Sequence, residues 1–514
     1  MCGSRTETAT NPGRRALFIA AGAALATATL DRFLPAVSFA AETNRREETR
    51  TITGRFEAGA PDWWYLPVEI PRGVREIEVV YTYDRPPVPP GTAGNALDIG
   101  IFSPAGHDLG NARGFRGWSG GFRDRFTISA SAATPGYLPG PITPGTWHII
   151  LGPYTIAPQG MEYRVDITLR YGSPGRRFVP TPAPEQARGR GRAWYRGDCH
   201  LHTQHSDGVW QPEDLAAAAR AAGLDFIAST EHNTTSASLQ WGRHAGEDLL
   251  IVDGEEITTR SGHWLALGLP PGYWIDWRYR FGDSGQFRRF AQQVRAVGGL
   301  VVAAHPYCPY VGCPWEFGYD DVDAVEVWNG PWTLDDQLAV QTWDELLRRA
   351  VTEARRGHGH RPRWIPAIGN SDSHNSSQTV GLPQTVVQAD ALTTRHVLAG
   401  LRAGRSWLAE SAHVQLRMTA RSGGRTAGIG EYLRTGARTE ILLEVEGAPN
   451  CQIQLLTPEG LAYTADIPGS GAATVRWEVP AGTAWVRAEI RRPVPTQTTP
   501  DTMVALTNPI FLGI

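Results

Sequence analysis

The sequence contains no lysine. All 49 of its Lys-plus-Arg residues are arginine, against 52 acidic residues and a net charge of −3. That absence removes whole classes of chemistry. No P-loop lysine can grip a nucleotide phosphate. No Schiff base can form with a carbonyl substrate or with pyridoxal phosphate. Neither a Ser-Lys dyad nor a carbamylated-lysine metal bridge can be built. A coding bias toward arginine accounts for the absence, and the exclusions hold whatever its origin. Cysteine is scarce too: 5 in 514 residues, at positions 2, 199, 308, 313 and 451. They form no CxxC pair and no zinc-finger spacing. Cys308 and Cys313 are near enough to bridge across a turn, and equally able to remain buried thiols. Strong net charge is missing as well, so there is no electrostatic case for a nucleic-acid partner.

What is abundant is Gly (57), Pro (38) and Trp (18), a composition of turns and β-structure. A hydrophobic fraction of 41% with 20% charged residues suits a soluble protein with several cores. The length corresponds to roughly three to four domains.

Residues 1–40 read as an export signal. Arg14-Arg15 precede an apolar stretch from Ala16 to Leu30, and Ser38-Phe39-Ala40 offers the small residues a signal peptidase reads. The stretch is shorter than the roughly 20 residues of a membrane span. The arginine pair resembles a twin-arginine signal, with Gly13 in place of the commoner Ser or Thr. An exported, periplasmic or extracellular protein with no stable membrane span is the expectation.

Residues 50–172 alternate apolar and polar residues in short runs between turn signals, for example Arg75–Tyr81, Ala96–Phe102 and Tyr163–Tyr171. This pattern predicts a β-sandwich. Residues 173–192 are a Pro/Gly/Arg linker. From 193 to 410 apolar strands alternate with helical stretches, such as Pro212–Ala222, Phe287–Val297 and Trp343–Arg356. That alternation predicts an α/β barrel or parallel sheet. Residues 411–514 return to short strands and predict a second β-rich domain.

The chemistry lies at the strand ends of the 193–410 segment. His200-Leu201-His202-Thr203 is followed by Ser206-Asp207-Gly208. Later strands end in Thr230-Glu231-His232-Asn233, Gly254-Glu255-Glu256 with Gly262-His263, His305-Pro306, and Ser371-Asp372-Ser373-His374. Each cluster alone is weak. Together they matter, because the strand C-termini of a parallel barrel meet at one mouth. Imidazoles and carboxylates converging there make a metal site without thiolate, open to Zn, Mn or Fe. Cys199 should point away from His200, into the core. His205 does not match the ligand spacing, and His358 and His360 sit in an Arg/Gly-rich loop.

These motifs and their order resemble the PHP (polymerase and histidinol phosphatase) metallohydrolases over about residues 193–410. The flanks, with Glu326-Val327-Trp328-Asn329-Gly330 and Ala505–Ile510, resemble the exported carbaryl-hydrolase-type (CehA/McbA-like) branch. The resemblance implies a distorted (β/α)7 barrel with β-sandwich-like flanks and a centre of two to three divalent ions. It implies one ion on His200, His202, Glu256 and Asp372. A second would share Glu256 with His305 and His263. A third would lie on Asp207, His232 and His374. Glu256 is preferred to Glu255 by the family's Gly-x-Glu pattern, and Glu231 stands where the family has Asp. Asp372, His232 and His374 are the residues implied to assist proton transfer, and Tyr307 and Asn329 are candidate substrate contacts.

The activity implied is a metal-dependent hydrolase acting on a small ester: a phosphoesterase, or a hydrolase of carboxylic or carbamate esters. A surface- or carbohydrate-binding protein with a vestigial barrel is the alternative of another class, and complete ligand sets weigh against it.

Overall fold

The computed structural model describes residues 36–39, 46–356, 363–435, 438–494 and 501–513. Apart from a short strand, Ala36–Phe39, the expected export signal lies outside the described residues, as do His358 and His360. No described helix is long and apolar enough to cross a membrane. The chain is mixed α/β, rich in sheet, with few helices.

Between residues 47 and 171, two antiparallel sheets face each other. One holds Glu47–Phe56, Met161–Tyr171, Val74–Tyr83 and Arg125–Ser129; the other holds Trp64–Ile70, Gly145–Thr155, Ala96–Phe102 and Phe115–Gly120. Alternation does the sorting. Val165, Ile167 and Leu169 point inward against Leu66, Ile99, Ile149 and Leu151. The second sheet is buried on its outer face too. Phe102, Phe115, Trp118 and Ile150 join one core with Trp264, Trp274 and Trp277 of the middle segment. Phe115 stacks on Trp274 with ring centroids 4.2 Å apart. This aromatic seam fixes the N-terminal sheets against the segment that carries the histidines.

The middle segment runs through adjacent strands Ala193–Asp198, Phe226–Ser229, Leu250–Thr259, Gly262–Leu267, Leu300–Ala303, Ala324–Asn329 and Ala367–Asn370. Helices Pro212–Ala221, Gln286–Ala296 and Leu334–Arg356 connect some of them. The first begins on a proline and ends before Gly223, at φ 73°, the Pro-start and Gly-stop asymmetry of helices.

The strict parallel alternation expected here does not hold. Leu250–Thr259 turns straight back through Arg260 and Ser261, so Gly262–Leu267 is antiparallel to both its neighbours. Short 3-10 turns replace a helix between 229 and 250, and a disulfide-bridged loop replaces one between 303 and 324. The strand series forms an open path rather than a continuous closed ladder. Its two ends nevertheless meet on the ligand-bearing side. Leu201 and Ser373 form a parallel bridge, the His202 amide donates to the Ser373 carbonyl (3.2 Å), and the Asp372 amide donates to the His200 carbonyl (3.0 Å).

The sheet does not stop at the middle segment. Beside Ala193–Asp198 lie Gln384–Ala389 and Ser406–Ala409, then Thr502–Thr507, Trp485–Arg492, Gln452–Thr457 and Gly460–Asp466. A separate four-stranded sheet, with Gln415–Ser422 and Thr439–Glu446 at its centre, packs on this extension through Leu416, Met418, Ile441, Leu443, Ile453 and Ile490. Asn508 pins the junction. Its Oδ1 accepts from the Ala367 amide (2.9 Å), and its Nδ2 donates to the carbonyls of Ala367 and Ser406 (both 3.0 Å).

Candidate metal centre

Glu256 sits at the middle of the site. Its strand, Leu250–Thr259, is buried along its whole length, so successive side chains face two different interiors. Glu255 and Glu256 therefore separate. Glu255 accepts a hydrogen bond from the Ile275 amide (2.8 Å), away from the histidines, and burial pushes its pKa well up. Glu256 turns to the ligand side. Its Oε2 lies 2.9 Å from His232 Nδ1, 3.2 Å from His200 Nε2 and 3.3 Å from His202 Nε2. Its Oε1 lies 2.9 Å from His263 Nδ1 and 3.1 Å from His305 Nε2. The Thr258–His263 register pairing in the hairpin brings His263 back to the carboxylate.

Two further carboxylates complete the arrangement. Asp372 Oδ1 is 3.0 Å from His202 Nε2 and 3.3 Å from His200 Nε2. Asp207 Oδ1 is 3.4 Å from His232 Nε2 and 3.3 Å from His374 Nε2. Each of the nine residues expected to ligate is thus brought into one cluster. The grouping by reach crosses the expected sets in three places, one of them His232 with Glu256 and His263. His202 joins Asp207, His232 and His374, as well as His200 and Asp372; His200 also joins Glu256 and His305.

The donor atoms fit divalent ions. His200 Nε2, His202 Nε2, Asp207 Oδ1, His232 Nε2, Glu256 Oε2, Asp372 Oδ1 and His374 Nε2 are buried and have no hydrogen-bond partner. A buried polar atom left without a partner costs on the order of 1–3 kcal/mol, so that many converging on one space mark a place built for something else to fill. Cys313 Sγ also lies near, 3.6 Å from His305 Nδ1, but it is bonded to Cys308. A disulfide sulfur is no thiolate, so the donor set is imidazole and carboxylate.

Electrostatics agrees. Burial would raise the pKa of Glu256, but the imidazoles of His232, His200 and His263 hold it well below the usual range. Asp372 behaves likewise: burial opposes ionisation, and His200, His374 and His202 overcome it. Burial would lower His202, but Asp372 and Glu256 raise it to about 10. Positive charge is what this cluster of carboxylates calls for, from protons or from metal ions.

Backbone strain concentrates here as well. Asn233 (φ 55°), His305 (φ 24°) and Asp372 (φ 49°) adopt positive φ without being glycine. Such conformations persist when surrounding structure over-determines them, and they gather at functional sites.

Residues with no expected role orient the ligands. Glu326 accepts from the His305 amide (2.9 Å), from Asn370 Nδ2 (2.8 Å) and from Asn329 Nδ2 (3.1 Å), and its Oε1 is 3.1 Å from His200 Nδ1. Thr258 Oγ1 lies 2.6 Å from His232 Nδ1. Glu231, where the family pattern has Asp, accepts from Thr203 and, at 2.6 Å, from the Ser206 hydroxyl, which stands 3.3 Å from His202 Nδ1. The glutamate thus braces the turn that carries Asp207. In sequence Glu326 was visible only as part of a short motif, and nothing marked it as a partner of His200.

Of the expected substrate contacts, Tyr307 and Asn329 line a cavity of about 210 Å³ beside His305, Glu326 and Asp372. Tyr307 is 37% exposed at its rim. Asn329 also donates to Asp372 Oδ2 (3.3 Å), so it positions as well as lines. Cys199 is buried in the core, and His205 is tied to Ser236 (2.8 Å).

No family model matches the chain. Among curated proteins, the uncharacterized protein MJ1587 of Methanocaldococcus jannaschii is 27% identical over 155 residues, 26% of this chain and 81% of that protein. Among solved structures, a two-domain protein of Bacteroides vulgatus, containing a predicted PHP-like metal-dependent phosphoesterase, aligns with 66% of this chain over all of its own length, at 16% identity and a TM-score of 0.34. An amidohydrolase of Chromobacterium violaceum aligns with 36% of this chain and 89% of its own, at 18% identity and a TM-score of 0.23.

Proposed function

We propose that the chain is a metal-dependent hydrolase of PHP type, with a distorted (β/α)7 barrel from 193 to 410 and two to three divalent ions at its mouth. The observation that carries this reading is the convergence of buried, unpartnered imidazole and carboxylate atoms around Glu256. The substrate class is a phosphoester, or a carboxylic or carbamate ester as in the CehA/McbA-like branch. Export after a twin-arginine signal belongs to the same proposal.

His200, His202, Glu256 and Asp372 would hold one ion, Glu256, His263 and His305 a second, and Asp207, His232 and His374 a third. Bound divalent ions would supply Lewis acidity and a water of lowered pKa. The chain's own residues do the rest. Glu326 fixes the ring of His200, leaving Nε2 for the centre. Asp372, with Asn329 on Oδ2, is placed to accept a proton at the mouth. His232 and His374 lie on either side of Asp207, with their Nδ1 atoms held by Thr258 and by the Asp372 carbonyl, so ligation through Nε2 is their favoured role over returning a proton to a leaving group.

The test is metal analysis of the purified full chain together with a screen of aryl phosphates, phosphodiesters and aryl carbamates. We expect two to three ions per chain and hydrolysis lost in His202→Ala and Asp372→Ala. Full activity in metal-free protein would sink the reading. Phosphoester turnover without any ester turnover would remove the carbamate branch of it.

A further inference from the structure

Arg260 occupies the turn of the hairpin between Leu250–Thr259 and Gly262–Leu267, just past Glu256. Its side chain is only 7% exposed. The guanidinium lies over the ring of Tyr154, 4.1 Å from its centroid, and 5.1 Å from that of Trp63. Nε and Nη2 are buried without a hydrogen-bond partner. The carboxylate it faces, Asp98, stands off at 3.9 Å, beyond hydrogen-bond reach, and Asp98 Oδ1 is itself unpartnered. Guanidinium is charged in any protein setting; Asp98 faces it at ion-pair distance but leaves its buried Nε and Nη2 without an acceptor, which is costly and leaves room for oxygens to bind.

That edge opens into a cavity of about 20 Å³, which Arg260 and Asp98 share with Asp207 and His232. Trp63, Asp98 and Tyr154 come from the N-terminal sheets, so both parts of the chain build this space. The unpartnered pair, Nε and Nη2, is the side of the guanidinium that binds two oxygens at once. The cavity is of the size that holds a water or a small polar group and is far too small for an aromatic ring.

We propose that Arg260 is the anion-binding half of a substrate subsite whose other half is the Asp207–His232 side of the metal centre, and that it receives a phosphoryl group. The inference rests on the hydrolase reading and narrows it to phosphoesters. With no lysine in the chain, recognition of such a group falls to arginine and metal. The N-terminal sheets then contribute to substrate choice through Trp63, Tyr154 and Asp98.

The test uses inorganic phosphate as probe, titrated calorimetrically into the full-length, metal-loaded wild type, Arg260→Met and Asp98→Asn proteins, with metal per chain measured on the same samples. Arg260→Met should keep its metal and bind phosphate at least about tenfold more weakly. Asp98→Asn removes a repelling carboxylate and should bind it more tightly. Equal phosphate affinity in Arg260→Met and wild type would overturn the subsite. If Arg260→Met does not fold, Asp98→Asn decides: tighter binding supports the subsite and unchanged or weaker binding overturns it. If the wild type holds no metal, the hydrolase reading fails separately. The subsite is then read in chelator-treated protein at low ionic strength, where an Arg260-dependent difference supports it and no difference ends it.

Discussion

Glu326 stands directly behind His200, its Oε1 3.1 Å from Nδ1 of the ring. The same carboxylate holds the His305 amide, so one side chain sets two candidate ligands that are far apart in sequence. Carboxylates that orient ligating histidines typically contribute 10–100-fold to metal affinity. Glu326→Gln should therefore weaken metal binding by about that factor, with the far-UV spectrum unchanged. Competition with a chromophoric chelator reads it, and an affinity equal to wild type would refute the role.

Asp207 and His374 meet only on one side of the cluster, 3.3 Å apart. His374→Ala should lower the metal count by one while leaving the ions on the Glu256 side in place. Native mass spectrometry counts them. Loss of every ion together would show that the groups load as a unit.

Ions that bind the folded chain and not the unfolded one stabilise it by mass action, by about 4 kcal/mol at a thousandfold excess over Kd. Chelation should lower the thermal midpoint, and readdition of one of Zn, Mn or Fe should restore it. A midpoint indifferent to both treatments would mean the cluster is empty in solution.

Asp253 is buried, its Oδ1 has no partner, and burial raises its pKa to about 8. Its unfolded value lies near 3.8. Between those values the folded state keeps a proton that the unfolded state has lost, so stability falls as pH rises through that window. Asp253→Asn should gain stability over wild type, and the gain should grow from pH 5 to pH 8. Denaturant midpoints at both pH values check it; a gain independent of pH would contradict the linkage.

The bond between Cys308 and Cys313 closes a short loop, with a separation of 5 residues, beside His305. Loop-closure entropy for so small a ring gives about 2 kcal/mol. Cys308→Ser with Cys313→Ser should lower stability by about that amount and respond no further to reductant. Wild type should show the same fall on reduction, in urea unfolding with and without dithiothreitol.

Much of the candidate site was legible from sequence because imidazoles and carboxylates recur where the apolar runs of the 193–410 segment end. The PHP resemblance then picked out His200, His202, His232, Glu256, His305, Asp372 and His374 among them. The choice of Glu256 over Glu255 came from the family's Gly-x-Glu pattern, since alternation along a buried strand separates the two carboxylates without saying which face is which. Glu326 escaped because a carboxylate inside a buried apolar run announces no partner; its partners, His200 and Asn370, lie in other strands. Arg260 escaped for the same reason. Its significance depends on Trp63, Asp98 and Tyr154, which only tertiary contact brings near. The fold was legible as sandwich, α/β segment and second β-rich region. The antiparallel strand Gly262–Leu267 was not, since a two-residue turn through Arg260 and Ser261 carries no glycine or asparagine to announce a hairpin. Nor was the continuity of the middle sheet with Thr502–Thr507, because long-range pairing leaves no local pattern.

Asn508 binds both the amide and the carbonyl of Ala367, at the root of the strand Ala367–Asn370, two residues short of Asp372. Asn508 and Ala367 are 141 positions apart. A ribosome delivers the chain in order, and domains otherwise tend to fold as they emerge. Here the strand Ala367–Asn370, which leads into Asp372 and His374, takes part of its backbone bonding from residue 508. The candidate site is therefore buttressed from below by a residue that follows all of its own in the chain.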